Sequence, residues 1–130
     1  MNDYLLLNGK VIAAKNQEYC LNIINEKSLS PHLYVFLIGN NPPSEYYVNS
    51  IKKQSLKYNI RVTVSQTPSE DMTEDQLIDS IERLNNDPDV HGIMVQKPLP
   101  KHYNVNRIEQ KISPYKDVDG FHALNAGLLM

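Results

Sequence analysis

The chain alternates short apolar runs with longer amphipathic segments. Six consecutive apolar residues occupy 33–38, and such an unbroken run is typical of a strand buried on both faces of a parallel sheet. The turn-rich link 39–43 follows, and Ser44 is expected to cap a helix that runs to about Lys57. Open α/β sheets place their ligand crevices where a helix follows a strand in this way.

Helical spacing places three residues of this predicted helix on one face: Ser44, Tyr47 and Ile51, at i, i+3 and i+7. Ser44 and Tyr47 carry hydroxyl groups, whereas the Ile51 side chain has no polar atom. The functional interpretation therefore depends on position 51.

Apolar spacing predicts further elements on both sides of this unit. Segment 8–27 carries apolar residues at near-helical spacing and predicts a long amphipathic helix, with its stripe at Ile12, Tyr19, Ile23 and Ile24. Residues 60–64 alternate like a half-buried strand. Residues 73–76 fit a capping box that opens a helix with a stripe at Leu77, Ile78, Ile81 and Leu84.

The remaining segments complete an alternation of strands and helices. Residues 91–95 predict a short strand, 105–112 a short helix, and 117–120 an acidic turn-like loop. Because strands alternate with helices, the sequence predicts an α/β fold, a three-layer βα domain with a mainly parallel sheet.

Composition is that of one globular domain spanning 1–130, with 41% hydrophobic and 22% charged residues. The net charge of -2 gives no electrostatic reason to expect nucleic acid. Cys20 is the only cysteine, so one chain forms no disulfide, which fits a reducing cytoplasm. No apolar run approaches membrane-spanning length, and we expect a cytoplasmic protein without a membrane partner.

Polar residues follow the carboxyl ends of the predicted strands. In a parallel sheet Ser44, Tyr47, Gln96 and Asp119 would gather around one crevice at one edge. Each residue also has a simpler interpretation that involves no ligand. Tyr47 could be a core aromatic, Gln96 a loop amide, and the acidic residues 117 and 119 turn formers. The case for a site rests on their convergence.

The sequence contains none of the motifs that mark several common classes of functional site. The four histidines show no HExxH or paired spacing, so we expect no metal. The five glycines form neither GxGxxG nor a phosphate-binding loop, and no GxSxG elbow is present. The chain therefore carries no recognisable dinucleotide or nucleoside triphosphate site.

Five segments nonetheless form an ordered set: LNGK at 7–10, IGNNPPS at 38–44, YV at 47–48, HGIMVQKPLP at 91–100 and KDVDGF at 116–121. Together they resemble the amino-terminal catalytic domain of the bifunctional methylenetetrahydrofolate dehydrogenase/methenyltetrahydrofolate cyclohydrolase family. The resemblance covers nearly the whole chain, and VQxPLP followed by KDVDGF is highly specific.

The resemblance implies a βα domain that faces a separate Rossmann domain, with folate and NADP or NAD bound between them. The implied chemistry oxidises methylene-tetrahydrofolate to the methenyl form and hydrolyses that to formyl-tetrahydrofolate. Tyr47 corresponds to the tyrosine that stacks near the pterin and assists a catalytic lysine, and Gln96 to the glutamine that orients this lysine. Asp119 corresponds to the aspartate that grips the pterin, and Ser44 to a supporting position of the substrate site.

Position 51 departs from the family pattern, which is Tyr-x-x-x-Lys. Ile51 stands where the resemblance places the catalytic lysine and offers no proton. Lys52 could curl back toward the site on its flexible stem, whereas Lys53 is expected to face away. Lys97 replaces the usual leucine beside Gln96, and we expect it on the opposite side, with a compensating role left open.

The second departure is length, because family members continue beyond the equivalent of Met130 into the Rossmann domain. Without that domain we expect no cofactor site and no hydride transfer by this chain alone. The sequence leaves open whether it is a trimmed piece or a naturally short protein. Since the family commonly forms homodimers largely through the Rossmann domain, this chain is expected to be monomeric.

Two main hypotheses follow. The first is the folate-binding domain of a longer enzyme, in which Ile51 impairs the cyclohydrolase step more than the dehydrogenase step. The second is a non-catalytic folate-binding or partner-binding module that has kept the fold. A downstream dinucleotide-binding segment in the native reading frame would favour the enzyme, and a stop codon after Met130 would favour the module. An unrelated α/β domain with chance matches is a third alternative.

Overall fold

A computed structural model describes residues 9–130. The first two residues of the LNGK motif and the first residue of the predicted segment 8–27 lie outside this range. A one-turn 3-10 helix, Leu56–Tyr58, directly follows the helix Pro42–Ser55. The strands and α-helices are, in chain order, α1 Gly9–Glu26, β1 His32–Ile38, α2 Pro42–Ser55, β2 Arg61–Thr67, α3 Glu74–Asn85, β3 Gly92–Val95, α4 Val105–Glu109 and α5 Ala123–Leu128.

The three strands form one parallel sheet in the order β2-β1-β3, with β1 in the middle. Leu33 pairs with Val62 of β2 and with Gly92 of β3. The central position of β1 explains its unbroken apolar run, because both of its faces are covered. The predicted α/β class and parallel sheet are confirmed.

Helices pack on both faces of the sheet, as the predicted three-layer arrangement requires. Alternate residues of β1 separate into two apolar clusters. One cluster, between the sheet and α2, contains Val35, Leu37, Val48 and Met94. The larger cluster, on the side of α3 and α4, includes Phe36, Ile38, Leu77, Ile78, Ile81, Ile93, Val95 and Ile108.

The start of α2 corrects the prediction that Ser44 is its cap. Asn41 is the N-cap, and its Oδ1 accepts a hydrogen bond of 3.0 Å from the Ser44 backbone N–H. The two prolines open the first turn, where their fixed φ suits a helix and their missing N–H groups cost nothing. They therefore move the helix start ahead of Ser44, which lies inside the first turn.

The cap of α3 agrees with the prediction. The Thr73 side chain accepts from the Gln76 backbone at 3.2 Å, and the Gln76 side chain accepts from the Thr73 backbone at 2.8 Å. This reciprocal pair is the capping box that the sequence indicated.

The predicted apolar stripe of α1 is wrong over most of the helix. Ile12 and Tyr19 are 64% and 67% exposed, and Ile24 is buried. Helical periodicity identifies an apolar face but not what covers it, and α1 is covered only near its carboxyl end. The alternation expected in β2 is also weaker than predicted, since Val62–Ser65 are all half-buried. None of the helices within residues 9–130 is long and apolar enough to cross a membrane.

Candidate active site at the carboxyl edge of the sheet

The candidate residues converge where β1 and β3 end. Gln96 directly follows β3, and its backbone N–H donates to the Phe36 carbonyl at 2.9 Å, so the parallel ladder continues to this residue. A three-residue link after β1 leads into α2, which carries Ser44, Tyr47 and Ile51. These residues therefore belong to the carboxyl edge of the sheet, where α/β folds bind ligands.

Ser44 connects α2 to the segment after β3. Its side chain is buried, with 4% exposed, and its Oγ lies 2.9 Å from Asn41 Oδ1 and 3.3 Å from the Lys97 carbonyl oxygen. The single hydroxyl proton is shared between these two acceptors. Gln96 Nε2 donates to the same Lys97 carbonyl at 2.7 Å. One backbone oxygen thus joins both candidate residues.

The other end of the Gln96 amide is unusual. Its Oε1 is buried and has no hydrogen-bond partner in the described part of the chain. An unsatisfied buried acceptor costs on the order of 1–3 kcal/mol, so such groups are rare in folded proteins. The arrangement fits a site that receives a hydrogen-bond donor at Oε1.

Ile51 lies on the same side of the sheet as Gln96. It is half-buried and packs against the cluster of Val35, Val48 and Met94. Because side chains alternate along a strand, Met94 and Gln96 face the same side, toward α2. Ile51 brings only carbon atoms to this region, so it cannot donate to Gln96 Oε1.

Tyr47 stands one turn before Ile51 on α2. Its side chain is 53% exposed, which excludes the alternative of a core aromatic. An accessible ring of this kind is suited to stacking on a planar ligand.

Lys97 extends to the opposite side of the sheet. Its Nζ pairs with Glu109 Oε1 at 2.8 Å and lies 3.1 Å from the centroid of the Phe121 ring. Lys52 and Lys53 are exposed on α2. Gln96 Oε1 has no hydrogen-bond partner among residues 9–130, so none of these three lysines donates to it in this structure.

The two acidic residues of the loop after α4 differ in environment. Asp117 accepts hydrogen bonds from the backbone N–H groups of Gly120 and His122 and from Asn125 Nδ2, at 2.9–3.0 Å. Burial acts to raise the pKa of Asp117, but these hydrogen bonds outweigh it and hold the pKa below its ordinary value. Asp117 therefore organises the loop, as the turn interpretation proposed for it.

Asp119 remains accessible to solvent. Partial burial of its carboxyl group raises its pKa, as do the charges of Asp117 and Glu109, whereas the Lys97 ammonium lowers it. Its oxygens are free to accept hydrogen bonds from a ligand, because no hydrogen bond within residues 9–130 engages the Asp119 carboxyl.

Comparison with known proteins gives this geometry a context. A family model described as tetrahydrofolate dehydrogenase/cyclohydrolase, catalytic domain, matches residues 7–119. The chain belongs to this family.

Curated relatives and solved structures agree with this membership. The bifunctional protein FolD of Halalkalibacterium halodurans is 40% identical over 129 residues, 97% of this chain and 46% of the relative. FolD of Chlamydia felis is 44% identical over 126 residues, 97% of this chain and 44% of the relative. The chain spans less than half the length of these relatives.

Among solved structures, bifunctional FolD, a methylenetetrahydrofolate dehydrogenase/cyclohydrolase from Campylobacter jejuni, matches with a TM-score of 0.85 at 39% identity, over 95% of this chain and 44% of that one. The Trypanosoma brucei enzyme, solved with NADP cofactor and an inhibitor, matches with a TM-score of 0.82 at 27% identity, over 99% and 45%. These matches confirm the family that the five sequence segments resemble.

The start of α2 does not offer the usual pyrophosphate site of a dinucleotide-binding unit. The helix that follows β1 would be the natural pyrophosphate site of a dinucleotide-binding unit. Its first turn contains Pro42 and Pro43, which have no N–H groups to donate to phosphate oxygens. Within residues 9–130 no group of three or more His, Cys, Asp or Glu side chains is arranged to hold a metal ion.

Two supporting residues were missed by sequence reasoning. Lys116 Nζ donates to the carbonyls of Leu84 and Asp87, at 2.7 and 2.6 Å, and so ties the KDVDGF segment to the end of α3. Glu109 holds Lys97. Both contacts join segments far apart in the chain, and the KDVDGF motif is the one signal that singled out Lys116.

Proposed function

We propose that residues 1–130 form the folate-binding catalytic domain of a methylenetetrahydrofolate dehydrogenase/methenyltetrahydrofolate cyclohydrolase, acting in one-carbon metabolism. The observation that carries this proposal is the meeting of Ser44 and Gln96 on one carbonyl oxygen at the carboxyl edge of the sheet, with Gln96 Oε1 left as a buried acceptor. The family match over residues 7–119 supports it.

Each candidate residue has a role suited to its environment. The accessible Tyr47 ring stacks on the pterin, and Asp119 accepts hydrogen bonds from its donor-bearing edge. Gln96 presents Oε1 to a donor, and Ser44 holds the end of β3 against α2 through the Lys97 carbonyl. These roles follow the motif correspondence and the chemistry of each side chain.

The two proposed reaction steps place different demands on position 51. In the dehydrogenase step, hydride leaves the methylene carbon for NADP or NAD bound by a further domain, and this step depends mainly on positioning. In the cyclohydrolase step, water adds to the methenyl carbon and a proton must be removed before the ring opens. Ile51 has no group to manage that proton, so the proposal is a dehydrogenase with an impaired cyclohydrolase step.

The test is to express the protein translated from the complete native reading frame and to measure both steps separately. Reduction of NADP or NAD with methylene-tetrahydrofolate is expected, with slow hydrolysis of added methenyl-tetrahydrofolate. Rapid methenyl hydrolysis by the protein with Ile51 would contradict the proposal that the cyclohydrolase step is impaired.

A second candidate is a non-catalytic module that binds folate or a protein partner. Ile51 favours it, because the side chain fills the lysine position with apolar packing. Folate binding by the complete protein without either activity would support the module. Cofactor reduction dependent on methylene-tetrahydrofolate would exclude it.

A further inference from the structure

A groove opens at the amino edge of the sheet, opposite the edge that carries Ser44 and Gln96. It lies beside the starts of the strands and has a volume of about 310 Å³. We call it the amino-edge groove, and its walls include Pro31, Leu33, Ser55, Ile60, Gly92 and Val118. The volume lies at the lower end of the range for ligand pockets, which suits a small molecule.

The shape and the apolar character of the amino-edge groove depend on Gly92. A Cβ atom at this position would lie 2.6 Å from Val118 Cγ1, which is closer than two such carbons approach. Because Gly92 has no side chain, Val118 packs directly on the start of β3 and forms a wall with Leu33 and Ile60. The described residues that line the groove include no Asp, Glu, Lys or Arg, so a bound ion would gain no opposite charge there. The groove therefore favours an uncharged ligand.

Ser55 supplies a hydroxyl group without a partner in this apolar setting. It is the last residue of α2, and its side chain is nine-tenths buried, with 9% exposed. In the described part of the chain its hydroxyl makes no hydrogen bond, although buried polar groups of folded proteins normally have a partner. A serine hydroxyl both donates and accepts, so it can pair with a hydroxyl or a carbonyl group of a ligand.

The two histidines beside the groove are already engaged. His32 Nε2 lies 2.8 Å from Thr63 Oγ1, and His32 Nδ1 lies 3.0 Å from the Asp89 carbonyl oxygen. His91 Nδ1 accepts a hydrogen bond of 3.2 Å from the His32 backbone N–H. Ser55 is therefore the buried side chain of the groove whose hydrogen-bonding capacity is left for a ligand.

We propose that the amino-edge groove binds a small, uncharged and mainly apolar molecule whose single polar group forms a hydrogen bond with the Ser55 hydroxyl. A simple phenol has this chemistry, because its ring can contact the apolar walls while its hydroxyl meets Ser55. The groove and the candidate folate site lie at opposite edges of the sheet, so the inference does not depend on the proposed function.

The test is a methyl-detected NMR titration of the complete protein with phenol and, separately, with toluene, a probe of similar shape without the hydroxyl. Both probes are expected to shift the methyl signals of Leu33, Ile60 and Val118. Ser55→Ala is expected to weaken phenol binding about fivefold and to leave toluene binding unchanged, because only phenol loses a hydrogen bond. Ser50→Ala, which alters an exposed serine of α2, is the matched control and leaves both affinities unchanged.

Ser55→Leu is the second variant, because it fills the groove with carbon and should abolish the binding of both probes. Loss of binding in this variant, together with the phenol-specific effect of Ser55→Ala, supports the inference. No methyl shifts, shifts at the carboxyl edge instead, or equal effects of Ser55→Ala on both probes overturn it. Binding of phenol by the 130-residue chain but not by the complete protein also overturns it, because another part of the polypeptide then fills the groove. If Ser55→Leu does not fold, the comparison of the two probes on Ser55→Ala decides.

Discussion

Ser44 and Gln96 share one hydrogen-bond acceptor, the Lys97 carbonyl oxygen, at 3.3 and 2.7 Å. Ser44 belongs to the first turn of α2, and Gln96 follows the last residue of β3. The shared oxygen therefore fixes the helix that carries Tyr47 and Ile51 against the end of the strand. It also engages Gln96 Nε2, which leaves Oε1 as the free end of the amide.

Replacing Ile51 with lysine tests whether Gln96 Oε1 can accept a hydrogen bond from a catalytic lysine at position 51. An ammonium introduced by Ile51→Lys can donate to Gln96 Oε1 and handle protons near neutral pH if its pKa is lowered by partial burial. We expect the variant of the complete protein to gain methenyl hydrolysis. Because Ile51 packs on the α2-side cluster, the free energy of unfolding should fall by about 1 kcal/mol.

Ile51→Met is the matched control, because it is similarly long but has no ammonium. It should fold like the parent and show no gain in hydrolysis. If Ile51→Lys folds and its hydrolysis equals that of Ile51→Met, Gln96 and Tyr47 are not placed to use a lysine at this position.

Replacing Gln96 with leucine is expected to lower the activity of the protein with little change in its free energy of unfolding. Gln96→Leu removes one hydrogen bond to the Lys97 carbonyl, but it also removes the unsatisfied Oε1. The two effects offset each other, so urea unfolding should show a change within about 1 kcal/mol. Folate-dependent activity of the complete protein should nevertheless fall.

Ser44→Ala provides the comparison, since it deletes a buried hydroxyl whose two acceptors remain. It should cost about 1 kcal/mol. A clearly larger loss for Gln96→Leu than for Ser44→Ala would mean that Oε1 is satisfied in solution.

Asp117 should make stability depend on pH in the acid range. Burial opposes ionisation, but the hydrogen bonds from Asn125, His122 and Gly120 hold the folded-state pKa below the ordinary value of 3.8. A carboxylate with a lowered folded-state pKa stabilises the protein above the unfolded value, and this contribution is lost as pH falls through the folded value. Asp117→Asn should therefore destabilise the chain at neutral pH and progressively less in acid. Urea unfolding of both proteins across this range measures the difference, and a constant difference would contradict the assignment.

The strand–loop–helix unit was predictable because its signals are local. The unbroken apolar run of β1 and the Thr73 capping box each reflect residues close together in sequence. The convergence of Ser44 and Gln96 followed from the parallel sheet, since parallel strands end at one edge.

Other features depend on contacts between distant segments. Exposure of Ile12 and Tyr19 depends on what packs on α1, which periodicity does not reveal. The ion pair between Lys97 and Glu109 joins a strand end to α4, and no local pattern predicts it. The cap at Asn41 could have been recognised from the two prolines that follow it.

The most direct test of the central claim is calorimetric titration of the 130-residue chain with a folate substrate analogue, repeated on Asp119→Ala. Asp79→Ala, an exposed aspartate of α3, is the control. The account predicts that the parent and the control bind alike and that Asp119→Ala binds about tenfold to a hundredfold more weakly, because charge-assisted hydrogen bonds are lost. No binding by the parent, or equal binding by Asp119→Ala, would contradict a folate site at this edge of the sheet.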